Sequence, residues 1–345
     1  MRIGINTVGI LPGFGGGEEL YLRKVITQIQ SMESPAELIL FTDVMNHSSF
    51  EGFTCVQVKS TKEIASQCAK EDIDLVFSAA NTAPAKLNVP LVLWVMNLYQ
   101  SNDVPQKKRF WGMSQPAVGN IEDTCLRADI LVVPSEFMKK ELLRLYTVPL
   151  NKVVVAPLGV DDAFANPSQC IVQQPYFLAV GKVSPRKNLN KLLQAFERIQ
   201  DEIPHSLVIV GQPGEDEPDH WGDRVFRIDR LGNTQLAGLY QHCDMFVCPS
   251  LYEGSGVTVL EAFKAGAIVG CGRIGGIQEI AGDSPFYFNA ESIDSITGVL
   301  KRVLDEPEDL LNRRASGGKL RTQEFTWENC SWKTLTAFRK AVSSE

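Results

Sequence analysis

The chain has 345 residues and a formal net charge of -7, with 44% hydrophobic and 22% charged residues. This composition is typical of a globular protein, and the length predicts about two domains. The acidic balance argues against a general nucleic-acid-binding protein, which needs an excess of basic residues.

Neither the cysteine spacing nor the hydropathy indicates a metal site or a membrane span. The eight cysteines are scattered and form no Cys-x-x-Cys pair, so we interpret them as reduced residues and expect no metal. The sequence has no apolar run of about 18 residues, and its first ten residues lack the apolar region and cleavage site of a signal peptide. We therefore expect a cytoplasmic protein.

Strand and helix patterns alternate through the first half of the chain. A Gly-rich loop at 11–17 separates the first strand from an amphipathic helix that begins at Glu18, and a second helix is predicted over 135–146. Such alternation predicts a parallel sheet with helices on both faces. The predicted strands are 2–6, 37–41, 74–77, 91–95, 130–133 and 151–155.

The same pattern returns in the second half, after a polar segment that we interpret as a linker. Two doubly wound domains of this kind predict a cleft at the carboxyl ends of their strands, where ligands bind. We place the first domain at 1–158, the linker at 159–174, the second domain at 175–325 and a terminal helical segment at 326–345. The predicted strands are 176–180, 206–210, 225–228, 245–248 and 267–270, and the predicted helices are 188–199, 234–242, 257–265 and 327–342.

The Gly-rich loop after the first strand ends at Gly16 and Gly17. Such a loop lets the backbone approach a phosphate or a sugar closely, although a flexible turn without ligand contact has the same composition. It is not a phosphate loop of the Walker type, because no Gly-Lys-Ser/Thr follows. It also fails the dinucleotide fingerprint, because Glu18 occupies the last glycine position, so a dehydrogenase is disfavoured.

A basic loop, G-K-V-S-P-R-K-N at 181–188, follows the strand 176–180. Positive charge at this edge of a sheet suits a reaction that leaves a phosphate anion behind. The alternative is a solvated basic turn with no ligand.

Two glutamates, Glu253 and Glu261, flank the turn between the strand 245–248 and the next helix. The first backbone N–H groups of that helix can hold an anion, and Gly254 and Gly256 let a ligand come close. Carboxylates repel a phosphate, so beside one they more plausibly accept hydrogen bonds from sugar or ribose hydroxyls. The pattern predicts a nucleotide-sugar site, and the alternative is a pair of solvated charges.

The run E-G-S-G-V-T-V-L-E-A at 253–262 resembles the E-G-F-G-x-x-x-L-E-A hallmark of glycosyltransferase family 4, with Ser255 in place of Phe. Weaker matches in the same order are P-S at 134–135, L-G-V-D at 158–161, G-G-x-x-E at 275–279 and F-T-W at 325–327. The resemblance implies the α/β GT-B fold, in which two doubly wound Rossmann-like domains face each other and the last helix crosses back to the first domain.

Family resemblance also implies roles for individual residues. Glu253 would contact the transferred sugar, Lys182 and Lys187 would bind the diphosphate, and Glu261 would contact the ribose. The implied catalytic residues are Glu253, Lys182 and Lys187. The implied donor-binding set is Gly16, Gly17, Lys182, Lys187, Arg230, Glu253, Ser255, Gly256, Val257, Thr258 and Glu261.

One departure from the family lies on the acceptor side, where we place Asn97 and Tyr99. Met96 and Asn97 occupy the positions at which many members carry His-Asp. Two interpretations stay open. The departing phosphate oxygen can take the acceptor proton itself, in a front-face mechanism that needs no imidazole. Alternatively, the protein is a non-catalytic donor-binding subunit that stabilises a partner transferase.

We expect a metal-independent retaining glycosyltransferase without a cofactor, using a nucleoside-diphosphate sugar, with UDP-glucose as the first donor to test. The acceptor would be a glycan or a lipid-linked sugar in polysaccharide or glycoconjugate synthesis. We interpret the cluster 107–109, beside Phe110 and Trp111, as a solvated helix start. Peripheral contact with an anionic membrane is the alternative. The sequence indicates no oligomeric state.

Overall fold

The computed structural model describes residues 1–13, 16–32, 36–79, 83–99, 121–214, 216–218 and 220–343. It divides into two compact units, one formed by Met1–Gly159 with Trp327–Glu345 and the other by Val160–Thr326. Each unit is built on a parallel sheet with helices packed on it. The predicted pair of doubly wound α/β domains is therefore confirmed.

The sheet of the first unit is parallel throughout, with the strand order β3-β2-β1-β4-β5-β6-β7. Its strands are β1 Arg2–Asn6, β2 Glu37–Thr42, β3 Thr54–Gln57, β4 Leu75–Ser78, β5 Leu91–Trp94, β6 Ile130–Val133 and β7 Val153–Val155. The helices in this part of the chain are α1 Gly16–Ser31, α2 Ile64–Lys70, α3 Ile121–Arg127 and α4 Glu136–Leu145.

Burial explains which strands the sequence revealed. Every residue of β4, β5 and β6 is buried, because helices cover both faces of a parallel sheet and its strands become continuous apolar runs. Strand β3, which the sequence analysis missed, lies at the edge of the sheet, and none of its four residues is buried. Helix α4 begins after Ser135, whose side chain accepts a hydrogen bond from the Met138 amide at 3.0 Å.

The sheet of the second unit has the strand order β10-β9-β8-β11-β12-β13. Its strands are β8 Tyr176–Val180, β9 Ser206–Val210, β10 Val225–Ile228, β11 Met245–Cys248, β12 Val269–Gly272 and β13 Phe286–Phe288. Its helices are α5 Leu189–Glu197, α6 Asn233–His242, α7 Val257–Ala265, α8 Gly275–Ala281, α9 Ile293–Asp305 and α10 Glu308–Arg321. The strand order reverses between β8 and β11, so the loops that follow these two strands lie side by side, where ligands of such sheets bind.

Two segments of the second unit differ from the sequence interpretation. The predicted linker contains Val160 and Phe164, which are buried in the core of this unit. Strand β12 begins at Val269 rather than at residue 267. The preceding helix closes with Gly266 in a left-handed conformation, and the Ala267 amide still bonds to the Ala262 carbonyl.

The last helix, α11 Trp327–Val342, packs within the first unit. The Tyr21 hydroxyl lies 2.9 Å from the Thr334 hydroxyl, and the Tyr21 ring stacks on Trp94 at a centroid distance of 3.5 Å. The Phe338 ring packs against Phe77 at 5.1 Å. Of the helices in the described ranges, none is long and apolar enough to cross a membrane.

Candidate active site

Two loops meet at the reversal of the second sheet. They are the basic loop 181–188, which follows β8, and the glutamate loop 249–256, which follows β11. The Leu251 amide donates to the Arg186 carbonyl at 2.8 Å, and the Asn188 side chain donates to the Pro249 carbonyl at 3.0 Å. Asn188 adopts a left-handed backbone conformation, with φ of 55°, where the chain turns into α5. These bonds hold the two loops in one fixed arrangement.

Glu253 lies at the centre of this arrangement, with its side chain 10% exposed. One carboxylate oxygen accepts bonds from the Lys187 ammonium and the Ser250 hydroxyl, each at 2.8 Å. The other oxygen lies 2.9 Å from the Arg186 guanidinium. Burial opposes ionisation, but Lys187 and Arg186 outweigh it and lower the pKa of Glu253 to about 2. Glu253 is therefore an anion at any physiological pH.

Lys187 reaches Glu253 because Gly181 leaves room for its stem. A Cβ atom at Gly181 would lie 2.6 Å from the Lys187 Cε atom, and Gly181 has a φ of 147°. A side chain at this position would displace the ammonium group. The glycine at 181 therefore belongs to the same pattern as Lys187, six residues later, because only glycine leaves space there for the lysine side chain.

The second glutamate of the pair, Glu261, lies on α7 and has a different environment. The Tyr240 hydroxyl donates to its carboxylate at 3.2 Å. Burial raises the pKa of Glu261 to about 7, although the Tyr240 hydrogen bond opposes the rise. This carboxyl group therefore changes its charge near neutral pH.

The N-terminus of α7 lies between the two glutamates in the sequence. Gly256 precedes the helix with a φ of 68°, and a Cβ atom there would lie 2.7 Å from Ile280 Cδ1. The amides of Val257 and Thr258 are the first of this helix, and such groups have no intrahelical acceptor and favour an anion.

The glycine-rich turn that begins α8 supports the glutamate loop from behind. The Gly276 amide donates to the Glu253 carbonyl at 2.9 Å. A Cβ atom at Gly276 would lie 2.4 Å from the Gly254 carbonyl oxygen, so only glycine allows this approach. This contact gives the G-G-x-x-E match at 275–279 a structural meaning.

The structure brings only part of the predicted donor-binding set together. Lys187 and Glu253 are in contact, and Glu261 and the buried Ser255 belong to the same loop and helix. Lys182 is exposed at the start of the basic loop, and Arg230 is exposed after β10, two strands away from β8.

In the first unit, α1 begins at Gly16, so Gly16 and Gly17 are its first residues rather than the end of a loop. A Cβ atom at Gly17 would lie 2.6 Å from the Met96 Cε atom, which shows how closely this turn packs on the chain after β5. Asn97 and Tyr99 are both half-buried. The cluster 107–111 and the rest of the segment 100–120 lie outside the described residues.

Three site residues were missed in the sequence. Arg186 and Ser250 both contact the Glu253 carboxylate, and Tyr240 contacts Glu261. A basic residue directly before Lys187 was a usable signal for Arg186. A third carboxyl group, that of Glu18 in the first turn of α1, was noted in the sequence only as a departure from a glycine pattern, yet burial raises its pKa to about 7.

No group of three or more His, Cys, Asp or Glu side chains is arranged to hold a metal ion within the described ranges. Lys187, Arg186 and the N-terminus of α7 place positive charge at the candidate site. Such a set can bind a diphosphate and stabilise the charge that develops on it.

Comparison with protein families finds two models that together match most of the chain. Residues 162–320 match the model described as Glycosyl transferases group 1, and residues 47–164 match Glycosyltransferase Family 4. The first of these segments contains both the basic loop and the glutamate loop.

Individual proteins give a consistent picture. The O-antigen chain mannosyltransferase B of Escherichia coli is 28% identical over 232 residues, which are 61% of this chain and 61% of that protein. Sucrose-phosphate synthase from Thermosynechococcus elongatus has a TM-score of 0.75 at 18% identity, over 100% of both chains. Anabaena HepE, solved in complex with UDP and glucose, has a TM-score of 0.73 at 15% identity, over 98% of this chain and 99% of HepE. The two solved structures show the fold, and the chain matches less than two thirds of the mannosyltransferase.

Proposed function

Because the chain belongs to glycosyltransferase family 4, we propose that it transfers a hexosyl group, with retention of configuration, from a nucleoside-diphosphate sugar. The acceptor is a glycan or a lipid-linked sugar in the synthesis of a polysaccharide or another glycoconjugate. The observation that carries this proposal is the buried Glu253 held by Lys187 and Arg186 beside the N-terminus of α7.

Each part of this arrangement has a task in the proposed reaction. The first amides of α7 receive the diphosphate, and Lys187 stabilises the charge that grows on it as the sugar leaves. Glu253 accepts hydrogen bonds from hydroxyls of the sugar, and Glu261 accepts them from the ribose. Since Glu253 is ionised at all physiological pH values, it remains an acceptor throughout.

Retention does not need the imidazole that Met96 replaces. The bond between the sugar and the diphosphate breaks, the acceptor oxygen bonds to the same face of the sugar, and the departing phosphate oxygen takes the acceptor proton. In this scheme Asn97 and Tyr99 of the first unit orient the acceptor hydroxyl. The lysine and the helix N-terminus supply the positive charge that a metal ion supplies elsewhere, so we propose that the enzyme works without metal and without a cofactor.

Two donors are supported by different relatives. The binding of UDP-glucose components by HepE supports UDP-glucose, the donor first expected from the sequence. The mannosyltransferase relative supports a nucleoside-diphosphate mannose. The alternative of a non-catalytic subunit is not favoured, because the matched family models and the mannosyltransferase are all named as transferases.

Proton NMR of the protein with a panel of nucleotide sugars tests the proposal. We expect line broadening for one donor and slow release of its sugar, first as the α-anomer. The Glu253→Gln variant should release none, whereas the matched control Glu197→Gln, at an exposed position of α5, should behave as the wild type.

Other outcomes of the same spectra contradict parts of the proposal. First release of the β-anomer would exclude retention. A panel in which no nucleotide sugar broadens would refute the donor site itself. Loss of turnover on addition of EDTA, restored by a divalent metal, would refute metal independence.

A further inference from the structure

In the structure, the single negative charge of Glu253 is in contact with two cations. Lys187 lies 2.8 Å from one carboxylate oxygen and Arg186 lies 2.9 Å from the other. Of these two cations, the family resemblance gives a role only to Lys187, so the presence of Arg186 needs its own explanation.

Arg186 is attached to the glutamate loop at three points. The same guanidinium nitrogen that contacts Glu253 also donates to the Tyr252 carbonyl at 2.9 Å, and the Arg186 carbonyl accepts from the Leu251 amide at 2.8 Å. A planar guanidinium held by several acceptors is fixed in place, whereas a lysine ammonium ends a flexible stem. Of the two cations, Lys187 is therefore the one that can turn toward a ligand.

A bound donor competes with Glu253 for Lys187. A diphosphate carries more negative charge than one carboxylate, and an ammonium group acts on it as a mobile point charge. When Lys187 turns to the diphosphate, Glu253 keeps only one ion-pair partner and gains an anionic neighbour.

We propose that Arg186 is a positioning residue that keeps Glu253 ionised and fixed while Lys187 binds the donor diphosphate. This inference rests on the proposed function, since it needs a donor with a diphosphate. Without Arg186, the departure of Lys187 would leave a buried carboxylate beside an anion, and such a group takes up a proton. A protonated Glu253 accepts fewer hydrogen bonds from the sugar hydroxyls.

The other groups around Glu253 do not replace Arg186. From the glutamate loop, Ser250 donates only a neutral hydroxyl. Cys248, at the end of β11, is kept as a neutral thiol because burial raises its pKa. Glu261 on α7 bears a negative charge when it ionises. The Gly276 amide in the turn of α8 donates to the backbone carbonyl of Glu253 and not to its carboxylate.

Proton uptake on donor binding tests the proposal directly. The diphosphate of a nucleotide sugar is a diester and has no proton that titrates near neutral pH, so uptake reports on the protein. Binding of the nucleotide sugar selected by the NMR panel is measured by calorimetry in buffers of different ionisation enthalpy. A protein with both Glu261→Gln and Glu18→Gln is used as the background, because burial raises the pKa of each of these carboxyl groups to about 7. On this background we expect no uptake with Arg186 present, and uptake that approaches about one proton per ligand in Arg186→Met.

Further variants separate charge from structure. Arg186→Lys keeps the charge but places it on a flexible stem, so its uptake should be smaller than that of Arg186→Met, and adding Glu253→Gln to Arg186→Met should abolish the uptake. Arg186→Met leaves the pair of Lys187 and Glu253 electrically neutral, so we expect it to fold, and its circular dichroism and unfolding temperature verify this. Arg198→Met, which removes an exposed arginine paired with Asp294, is the matched control.

A second route does not depend on the folding of Arg186→Met. Lys187→Met keeps Arg186, so it should bind the donor more weakly and still take up no proton. Activity provides a further readout, because the acid limb of the kcat profile should move to higher pH in Arg186→Met. One pH unit below the new midpoint, kcat should be about tenfold lower than its plateau.

The outcomes distinguish this inference from the proposed function. If the wild type binds nucleotide sugars but Arg186→Met binds them without proton uptake, the role of Arg186 is refuted and the proposed function stands. Uptake in Lys187→Met would also refute it. If the wild type binds no nucleotide sugar at all, the proposed function fails and the inference fails with it.

Discussion

Donor binding should weaken as the pH falls from about 8 to about 6, because Glu261 loses its charge over this interval. Burial raises the pKa of this carboxyl group to about 7. An ionised carboxylate accepts hydrogen bonds at both oxygens and can therefore hold two neighbouring ribose hydroxyls. A protonated carboxyl group offers fewer acceptor sites and holds the diol less well.

The size of the effect follows from the ionised fraction. One unit above the pKa about nine tenths of the molecules carry an ionised Glu261, and one unit below it about one tenth do. If only the ionised form binds the diol, the Kd for the donor rises by up to about tenfold across the interval. Phenylalanine at position 240 removes the hydrogen bond that lowers the pKa of Glu261, so Tyr240→Phe should move the midpoint to higher pH.

Calorimetry with a nucleotide sugar and with its 2′,3′-dideoxy analogue provides the measurement. The analogue keeps the base, the diphosphate and the sugar, so any pH effect that passes through the ribose hydroxyls should disappear with it. Glu261→Gln should bind both ligands with the same weak pH dependence. The reasoning is refuted if the dideoxy ligand shows the full pH dependence, or if Glu261→Gln retains it.

Three other substitutions test the site through stability and affinity. Glu253→Gln leaves the buried Lys187 and the partly exposed Arg186 without their counter-charge and should lower the free energy of unfolding by about 3 kcal/mol at neutral pH. Because the pKa of Glu253 is lowered to about 2, this gap in urea unfolding should close as the pH falls from about 4.5 toward 2. A gap that is absent at neutral pH would contradict the ion pairs. Gly181→Ala should weaken donor binding by displacing Lys187, whereas Gly222→Ala, with a φ of 87° and no atom closer than 3.5 Å to the added Cβ, should only lower stability. Equal donor affinity in both variants would contradict the steric role of Gly181. Glu261→Gln should stabilise the protein at about pH 8 by at most about 3 kcal/mol, since the side chain is partly exposed. The pKa of Glu261 is raised on folding, so the wild type loses stability as the pH rises from about 4.5 to 7, and an identical gain at about pH 5 and pH 8 would contradict this.

Burial explains only part of what was predictable. Strands β8, β9 and β11 and helix α7 have the predicted bounds, because their apolar runs stop at glycine or polar residues. Strand β10 was also predicted correctly, although none of its residues is buried, and α9 was missed although Ile296, Leu300 and Val303 give it a buried face. Helix α10 was missed because only Gly318 of its residues is buried. That glycine lets the helix lie against the Phe263 ring, to which an added Cβ would be only 2.2 Å away, and a single glycine gives no periodic signal.

The site divides in the same way. Lys187 and Glu253 were predicted from a pattern, and their contact at 2.8 Å joins residues 66 positions apart. Arg186 stood in the same basic loop, but only the arrangement of the two loops shows that it shares the carboxylate. Tyr240 lies in α6, outside every motif, and its link to Glu261 depends on how α6 packs against α7. A sequence pattern can identify which chain segments supply the charged residues of the site. It does not show which neutral side chains form hydrogen bonds with those residues.

The two glutamates show how partners, rather than burial, set the role of each group. Burial raises the pKa of both carboxyl groups, yet Glu253 ends near 2 because two cations contact it, and Glu261 ends near 7 because its hydrogen-bond donor is a neutral tyrosine. If the proposed roles hold, the group that contacts the reacting sugar keeps its charge while the group that contacts the ribose titrates. Acidification from about pH 8 to about pH 6 should therefore raise KM for the donor and leave kcat nearly constant. Steady-state kinetics over this interval tests the division of roles, and a parallel fall in kcat in the wild type would show that a titrating group takes part in the chemical step.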